Sequence, residues 1–247
     1  MHELIPPVLF KYFPPERLDV LTRGRIRVSQ RQAVNDPQDF RPPFVDAAPD
    51  DILARVLEAQ VANDPEIPVA ARPGFVHHMV SRYRDDMLQG VLANIKTPDL
   101  IGMVCLTERP DIEEMWQKYA AGATGFVVGF DTRALAGTYL PRLVVRRVRY
   151  TDMPIRFVYE GIPDMTAFYQ KSHRWQGESE WRGAGVLRRF PIIGTDNNGL
   201  PIHVCTFPGH TIQTIHIREE CAIVQQLSTL VAVDARYRHV ALEQRDP

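Results

Sequence analysis

The chain has 247 residues, of which 45% are hydrophobic and 24% are charged, so it is long enough to bury a substantial core and has the composition of an ordinary globular protein. Its formal net charge of -1 and its pI near 6.7 exclude binding to nucleic acid or to an anionic membrane through bulk charge. With three cysteines and no Cys-x-x-Cys pair, no signal-peptide pattern and no apolar run of membrane-spanning length, we expect a cytoplasmic protein that has no disulfide framework, no zinc finger and no membrane partner.

The predicted elements follow from hydrophobic periodicity and from the residues that start and stop helices and strands. In chain order they are a strand at 8–13, a helix at 14–24, a strand at 25–29, helices at 50–62 and 75–95, a strand at 100–106, a helix at 111–119, strands at 125–130 and 143–151, a helix at 163–173, strands at 186–192, 201–207 and 212–217, a helix at 219–230 and a last short strand. Strands and helices neither alternate regularly nor separate completely. The sequence therefore predicts an α+β fold with a central mixed, mainly antiparallel sheet and flanking helices.

Turn residues divide these elements. Gly24 is placed to end the first helix, and Asn35-Asp36-Pro37 has strong turn chemistry because Asn and Asp bond their own backbone. Residues 196–199 read as a hairpin turn. The two helices within residues 43–98 have little area to bury by themselves, so we interpret this segment as a helical insertion within a single domain of residues 1–247.

The segment from Lys171 to Arg182 carries the densest group of chemically active residues. If Glu178 to Trp181 is extended, the side chains of Glu178, Glu180 and Arg182 project from one face at Cα spacings of about 7 Å. Two carboxylates so arranged are able to bind a sugar hydroxyl and to support positive charge at an anomeric carbon. The same pattern is also typical of a solvated strand face with weak lateral ion pairs.

Several separated motifs occur together in one order. They are Phe10-Lys11-Tyr12 on the first strand, Ile26-Arg-Val-Ser29 on the second, Asn35-Asp36-Pro37, Cys105-Leu-Thr-Glu108, Met115-Trp116-x-x-Tyr119, Gly125-Phe126, Lys171 and Trp175-x-x-Glu178-x-Glu180-x-Arg182. In this order, from residue 10 to about residue 217, the chain resembles the uncharacterised bacterial family catalogued as domain of unknown function 2971. Ala123, where a polar residue is expected, and a divergent helical insertion are the two departures.

That family in turn looks like the ADP-ribosyltransferase fold, and the resemblance implies an enzyme that uses NAD as a substrate. It implies that Lys11 or Tyr12 lies near the ribose or phosphates, that Ser29 shapes the nicotinamide pocket and that Glu180 is the catalytic carboxylate. Glu178 then orients or deprotonates the acceptor, which is a protein, a nucleic acid or a small molecule.

The remaining candidates each have a structural alternative. Lys11 and Arg182 are suited to balance a diphosphate or the neighbouring carboxylates, and Lys171 belongs to the same motif. Trp116 and Tyr119, with Tyr12 and Trp175, are suited to stack on adenine or nicotinamide, although aromatic residues at such positions are more often part of a core. Asn35 is placed to touch a ligand or to bond its own turn. The histidines show no metal-ligand spacing, and no metal site is predicted.

Two other functions remain open at this stage. One is a non-catalytic role of the same fold as a nucleotide-binding or protein-interaction module, in which Ala123 and other substitutions mark lost chemistry. Metal-assisted phosphodiester cleavage through Asp36, Glu178 and Glu180 is a weaker hypothesis, because no metal motif supports it.

Overall fold

The protein is described by a computed structural model that covers residues 4–34, 44–46, 50–62, 64–82, 101–134, 143–153, 155–157 and 168–245. The predicted α+β architecture is confirmed at the level of its layers, since a central and mostly antiparallel sheet is flanked by several helices. Residues 35 and 36, on which two of the sequence predictions fall, lie outside the described residues. Among the residues that are described, none of the helices combines the length and the apolar character needed to cross a bilayer.

The strands of the described residues carry the labels β1 to β14. They are Val8–Phe13, Arg25–Gln30, Phe44–Asp46, Ile101–Thr107, Phe126–Asp131, Val144–Arg147, Arg149–Tyr150, Ile155–Phe157, Gln170–Lys171, Glu180–Val186, Ile192–Thr195, Pro201–Thr206, Ile212–Ile217 and Ala241–Gln244. The α-helices of the same residues are α1 (Asp19–Arg23), α2 (Asp50–Val61), α3 (72–82 as far as it is described), α4 (Glu113–Tyr119) and α5 (Val224–Val233).

The main sheet divides at β4. Its strand order is β11-β12-β2-β4-β1-β5-β13-β14, and β10 pairs with β4 over the whole length of both strands. On the other edge of β4, β2 pairs only near its start, through Ser29 and Met103, whereas β1 pairs only at its end, through Phe10 and Thr107. Two strands that share one edge in this way must diverge, which leaves backbone and side chains of β4 uncovered between them.

One face of this sheet packs on the main hydrophobic core. Leu9, Val104, Phe126 and Trp181 are among its fully or almost fully buried members. Because side chains alternate along a strand, Trp181 points into this core while Glu180 and Arg182 project from the opposite face. The core therefore fixes which face of β10 presents its polar residues.

The described part of the predicted insertion contains α2 and α3, which bury a small cluster of their own: Leu57, Val61, Val76 and Val80. Phe44–Asp46 is a strand that pairs with β8 and not part of a helix. That residues 43–98 form an insertion in one domain stays a prediction.

Two predicted elements are wrong. A helix was expected up to residue 173, but Gln170–Lys171 forms β9 beside β7, and a 3₁₀ helix follows at His173–Glu178. The tertiary pairing overrides the local helical pattern, since Thr151 donates to the Lys171 carbonyl. Residues 186–192 were expected to be one strand, but Leu187–Arg189 forms a 3₁₀ turn that buries Leu187 against Val28 and Gly102.

Candidate active site

A cleft with a volume of about 160 Å³ lies where β1 and β2 diverge. Its walls come from β1, β2, β4, α4 and the segment that ends in β10. Seven of the ten predicted site residues line it: Lys11, Tyr12, Ser29, Tyr119, Lys171, Glu178 and Glu180. Residues far apart in the sequence therefore meet at one place, as a binding site requires.

Glu180 is the first residue of β10 and stands opposite Thr107 of β4. Its Oε1 accepts a hydrogen bond of 2.7 Å from Arg182 Nε, and its Oε2 accepts one of 2.9 Å from Lys171 Nζ. Burial alone would raise the pKa of Glu180, but the charges of Arg182 and Lys171 outweigh it and lower this pKa to about 2. The carboxylate is therefore ionised at neutral pH and is an acceptor of hydrogen bonds, not a proton donor.

Glu178 reaches the cleft by a different route from the one expected. It ends the 3₁₀ helix, and Ser179 then adopts a left-handed conformation with φ of 45°, so Glu178 is not on an extended strand with Glu180. The turn is held because Thr107 Oγ1 donates to the Glu178 carbonyl at 2.7 Å. This turn still directs the carboxylate of Glu178 towards that of Glu180.

Lys171 joins the two carboxylates. Its Nζ donates to Glu178 Oε2 at 2.6 Å and to Glu180 Oε2 at 2.9 Å. Tyr119 Oη donates to the second oxygen of Glu178 at 3.2 Å. Arg182 is fully buried behind Glu180 and does not line the cleft. Of the two partners expected for Arg182, a diphosphate or the neighbouring carboxylates, the structure shows the carboxylate of Glu180.

Lys11 and Ser29 line the cleft from the two diverging strands. Lys11 Nζ donates to the backbone carbonyl of Cys105 at 2.9 Å, which is a β4 carbonyl uncovered by the split. Burial lowers the pKa of Lys11. Burial likewise raises the pKa of the Cys105 thiol to about 12, so Cys105 is not a thiolate nucleophile at neutral pH.

Tyr12 and Trp116 have mainly structural contacts. The hydroxyl of Tyr12 donates to the Arg109 carbonyl at 2.9 Å and accepts from the Ile112 amide at 3.1 Å, while its ring edge meets Trp116. Trp116 is 0% exposed and donates to the Pro110 carbonyl. Trp116 therefore lies outside the cleft, in the core position that the sequence left open as the alternative to stacking on a ligand.

Lys118 also lines the cleft, and sequence reasoning missed it. Trp175, which the sequence offered only for stacking, lines the cleft as well. Lys118 Nζ lies 3.9 Å from the ring centroid of Trp175 and 3.8 Å from Glu178 Oε1. The sequence did hold a signal, because Met115 and Lys118 are three positions apart on α4 and share one face with Tyr119.

No protein-family model, curated protein or solved structure matches this chain at a significant level. Within the described residues, no group of three or more His, Cys, Asp or Glu side chains is arranged to hold a metal ion.

Proposed function

We propose that the protein is an NAD-using enzyme of the ADP-ribosyltransferase type, located in the cytoplasm, which transfers ADP-ribose to an acceptor. The observation that supports this proposal is the meeting of Lys11, Ser29 and Glu180 in one cleft, beside a second carboxylate held by the same ammonium group. The proposal also relies on the resemblance to the family of unknown function 2971 and, through it, to the ADP-ribosyltransferase fold. The site residues that this resemblance implies, Lys11, Ser29 and Glu180, are the ones that line the cleft.

The properties of Glu180 fit glycosyl transfer. An ionised carboxylate accepts a hydrogen bond from a ribose hydroxyl and stabilises positive charge at the anomeric carbon as the bond to nicotinamide breaks. The bonding electron pair leaves with the nicotinamide nitrogen and neutralises its charge. Glu178, which is buried but contacts the exposed Lys118, is placed to accept the proton of the hydroxyl or amine that then attacks.

The cleft fits part of the substrate. Its volume of about 160 Å³ is close to that of a protein cavity that holds one benzene-sized ring, about 150 Å³. A nicotinamide ring is of this size, so the rest of the dinucleotide would lie along the mouth of the cleft. The cations there outnumber the carboxylates, which suits a diphosphate.

Nicotinamide release from NAD tests the proposal. The purified protein is incubated with NAD and a bacterial lysate as a source of acceptors, and wild type is compared with Glu180→Gln. We expect release by the wild type to fall at least about a hundredfold in the variant, because the amide carries no charge to stabilise the transition state. Glu220→Gln, an exposed change outside the cleft, serves as the matched control. Equal release by wild type and Glu180→Gln would contradict the proposal.

A non-catalytic binding module is the second candidate. It is favoured by one observation: both oxygens of Glu180 already accept hydrogen bonds from Arg182 and Lys171, as in a structural ion-pair network. Saturable binding of NAD without turnover would support this function, whereas release that depends on Glu180 would exclude it.

A further inference from the structure

The basic residues of this chain are unevenly distributed between lysine and arginine. Of its 29 Lys and Arg residues only four are lysines, and three of these four, Lys11, Lys118 and Lys171, line the one cleft. The fourth, Lys96, lies outside the described residues. Lysine differs from arginine in presenting a compact charge with three rotatable donors on a flexible stem, which suits it to follow a ligand's oxygen atoms.

The three lysines are engaged to different degrees. Lys171 donates to both carboxylates, and Lys11 donates to the Cys105 carbonyl. Lys118 is 34% exposed, and within the described part of the chain it makes no hydrogen bond and one ion pair, the 3.8 Å contact with Glu178. The three donors of its ammonium group therefore remain for a ligand.

Trp175 completes this part of the cleft. The indole is half-buried at the mouth, and the Lys118 ammonium lies over it at 3.9 Å from the ring centroid. A cation–π contact of this kind holds an ammonium group near the ring without consuming its hydrogen-bond donors. Lys118 is thus positioned, charged and able to donate, at the point where a ligand enters.

The balance of charge selects the class of ligand. Arg182, Glu180, Lys171, Glu178 and Lys118 form a row of alternating charges in contact, with a cation at each end. Even if Lys11 is neutral, three cations face two carboxylates. An anionic ligand that contacts Lys118 therefore neutralises the excess positive charge of this row, whereas a neutral ligand leaves that charge uncompensated.

We propose that Lys118, seated on Trp175, binds a phosphate group of the ligand at the mouth of the cleft. This inference rests on the proposed function only in taking the cleft as the ligand site, and it adds Lys118 to Lys11 and Arg182, the residues that the sequence offered for a diphosphate. A phosphate has several acceptor oxygens that are matched by the rotatable donors of one lysine. The ligand is consequently a phosphorylated small molecule of the nucleotide class.

Calorimetric titration of the full chain tests the inference with three probes: pyrophosphate, nicotinamide mononucleotide and nicotinamide riboside. The last two differ by one phosphate. We expect pyrophosphate and the mononucleotide to bind wild type and to bind Lys118→Gln at least about tenfold more weakly, since a charge-assisted hydrogen bond is lost. Lys118→Arg should recover most of that affinity. Arg55→Gln, which removes an exposed cation on α2, should bind as wild type does.

The riboside separates a phosphate contact from general damage. Its affinity should be the same for wild type and Lys118→Gln. Equal pyrophosphate affinity in the two proteins would overturn the inference, as would an equal loss of riboside and mononucleotide binding. Since binding is measured without turnover, phosphate binding that depends on Lys118 would uphold the inference even where nicotinamide release fails. If the protein released nicotinamide but bound pyrophosphate equally well with and without Lys118, this inference alone would be overturned and the proposed function would stand.

Discussion

At the scale of single residues, Lys171 is the residue on which the arrangement of the site depends. It is almost fully buried, and its ammonium group lies within 3 Å of one oxygen of Glu178 and one of Glu180. Without it, two carboxylates face each other in a partly desolvated place, and like charges so placed repel strongly. Lys171 therefore holds the two carboxylates together and, with Arg182, lowers the pKa of Glu180.

We predict that Lys171→Met lowers the free energy of unfolding by about 3–5 kcal/mol at pH 7, because breaking a buried ion pair leaves an uncompensated charge. Urea unfolding measures the change. Lys118→Met is the matched control, and its cost should stay below about 1 kcal/mol because its ion pair is exposed and long. Equal costs for the two variants would show that the buried ion pairs of Lys171 contribute no more to stability than the exposed ion pair of Lys118.

Sequence reasoning named most of the residues that line the cleft, but it did not separate the tryptophan that lines the cleft from the one that is buried. Lys11, Ser29, Glu178 and Glu180 were named from a motif order, and the structure brings them together. Two tryptophans stood in equally good motifs, but Trp116 is buried while Trp175 lines the cleft. Only the packing of α4 on β1 decides between them, and that packing is a tertiary contact that no local pattern contains.

At the scale of elements, the predictions succeeded where local chemistry decides the outcome. Residues 8–13 form β1, and the first helix ends at Gly24, which adopts the left-handed conformation expected of a helix-ending glycine. They failed at residues 163–173 and 186–192. There the chain follows the pairing of β9 and the burial of Leu187, which are demands of distant neighbours.

The last strand, β14, is attached to the sheet partly through a contact with His216 of β13. It is parallel to β13, and Arg245 just beyond it donates from Nε to Nδ1 of His216 at 3.0 Å. Thr214 and Glu243 are the other polar neighbours of this ring, and Phe10 meets its edge. An Nδ1 that accepts a hydrogen bond carries no proton, so the contact with Arg245 requires a neutral imidazole.

Burial lowers the pKa of His216 from its ordinary value of 6.5 to about 4. A lowered histidine pKa contributes stability that is present above pH 6.5 and is lost as the pH falls from 6.5 towards 4, because the unfolded state binds the proton first. We predict a loss of up to about 3 kcal/mol over this range in wild type and a smaller loss in His216→Gln.

Unfolding by urea at pH 7 and at pH 4 measures this difference, and hydrogen exchange locates it. The amides of β14 should lose protection before those of β5 as the pH falls. His173→Gln, at an exposed histidine, should follow wild type. An unchanged pH dependence in His216→Gln would show that His216 does not hold β14.

At the scale of the whole molecule, the site depends on one feature of topology. β1 and β2 are consecutive strands, yet both use the same edge of β4, and their divergence opens the cleft. Nothing in either strand's own sequence shows this arrangement, since it is set by how far each strand pairs with β4, which lies much later in the chain. The sequence could therefore predict an α+β class and not the split that positions the site.

The separate packing of α2 and α3 leads to a prediction about how the molecule unfolds. In the part of the chain that the structure describes, their cluster of Leu57, Val61, Val76 and Val80 shares no buried residue with the main core. A cluster of this size buries little apolar area, so its free energy of opening should be well below that of the central sheet. We predict that amides of α2 and α3 exchange by local opening, at least about 2 kcal/mol below the global free energy of unfolding.

Native-state hydrogen exchange with two truncations tests this independence. Leu57→Ala should increase exchange in α2 and α3 and leave the amides of β5 and β13 unchanged. Ile215→Ala, in the main core, should lower the stability of the sheet by about 2–5 kcal/mol, because the core cannot fill the cavity left. If Leu57→Ala destabilised β5 as much as α2, the two clusters would unfold as one cooperative unit, and the helical segment would be an integral part of the fold that carries the site.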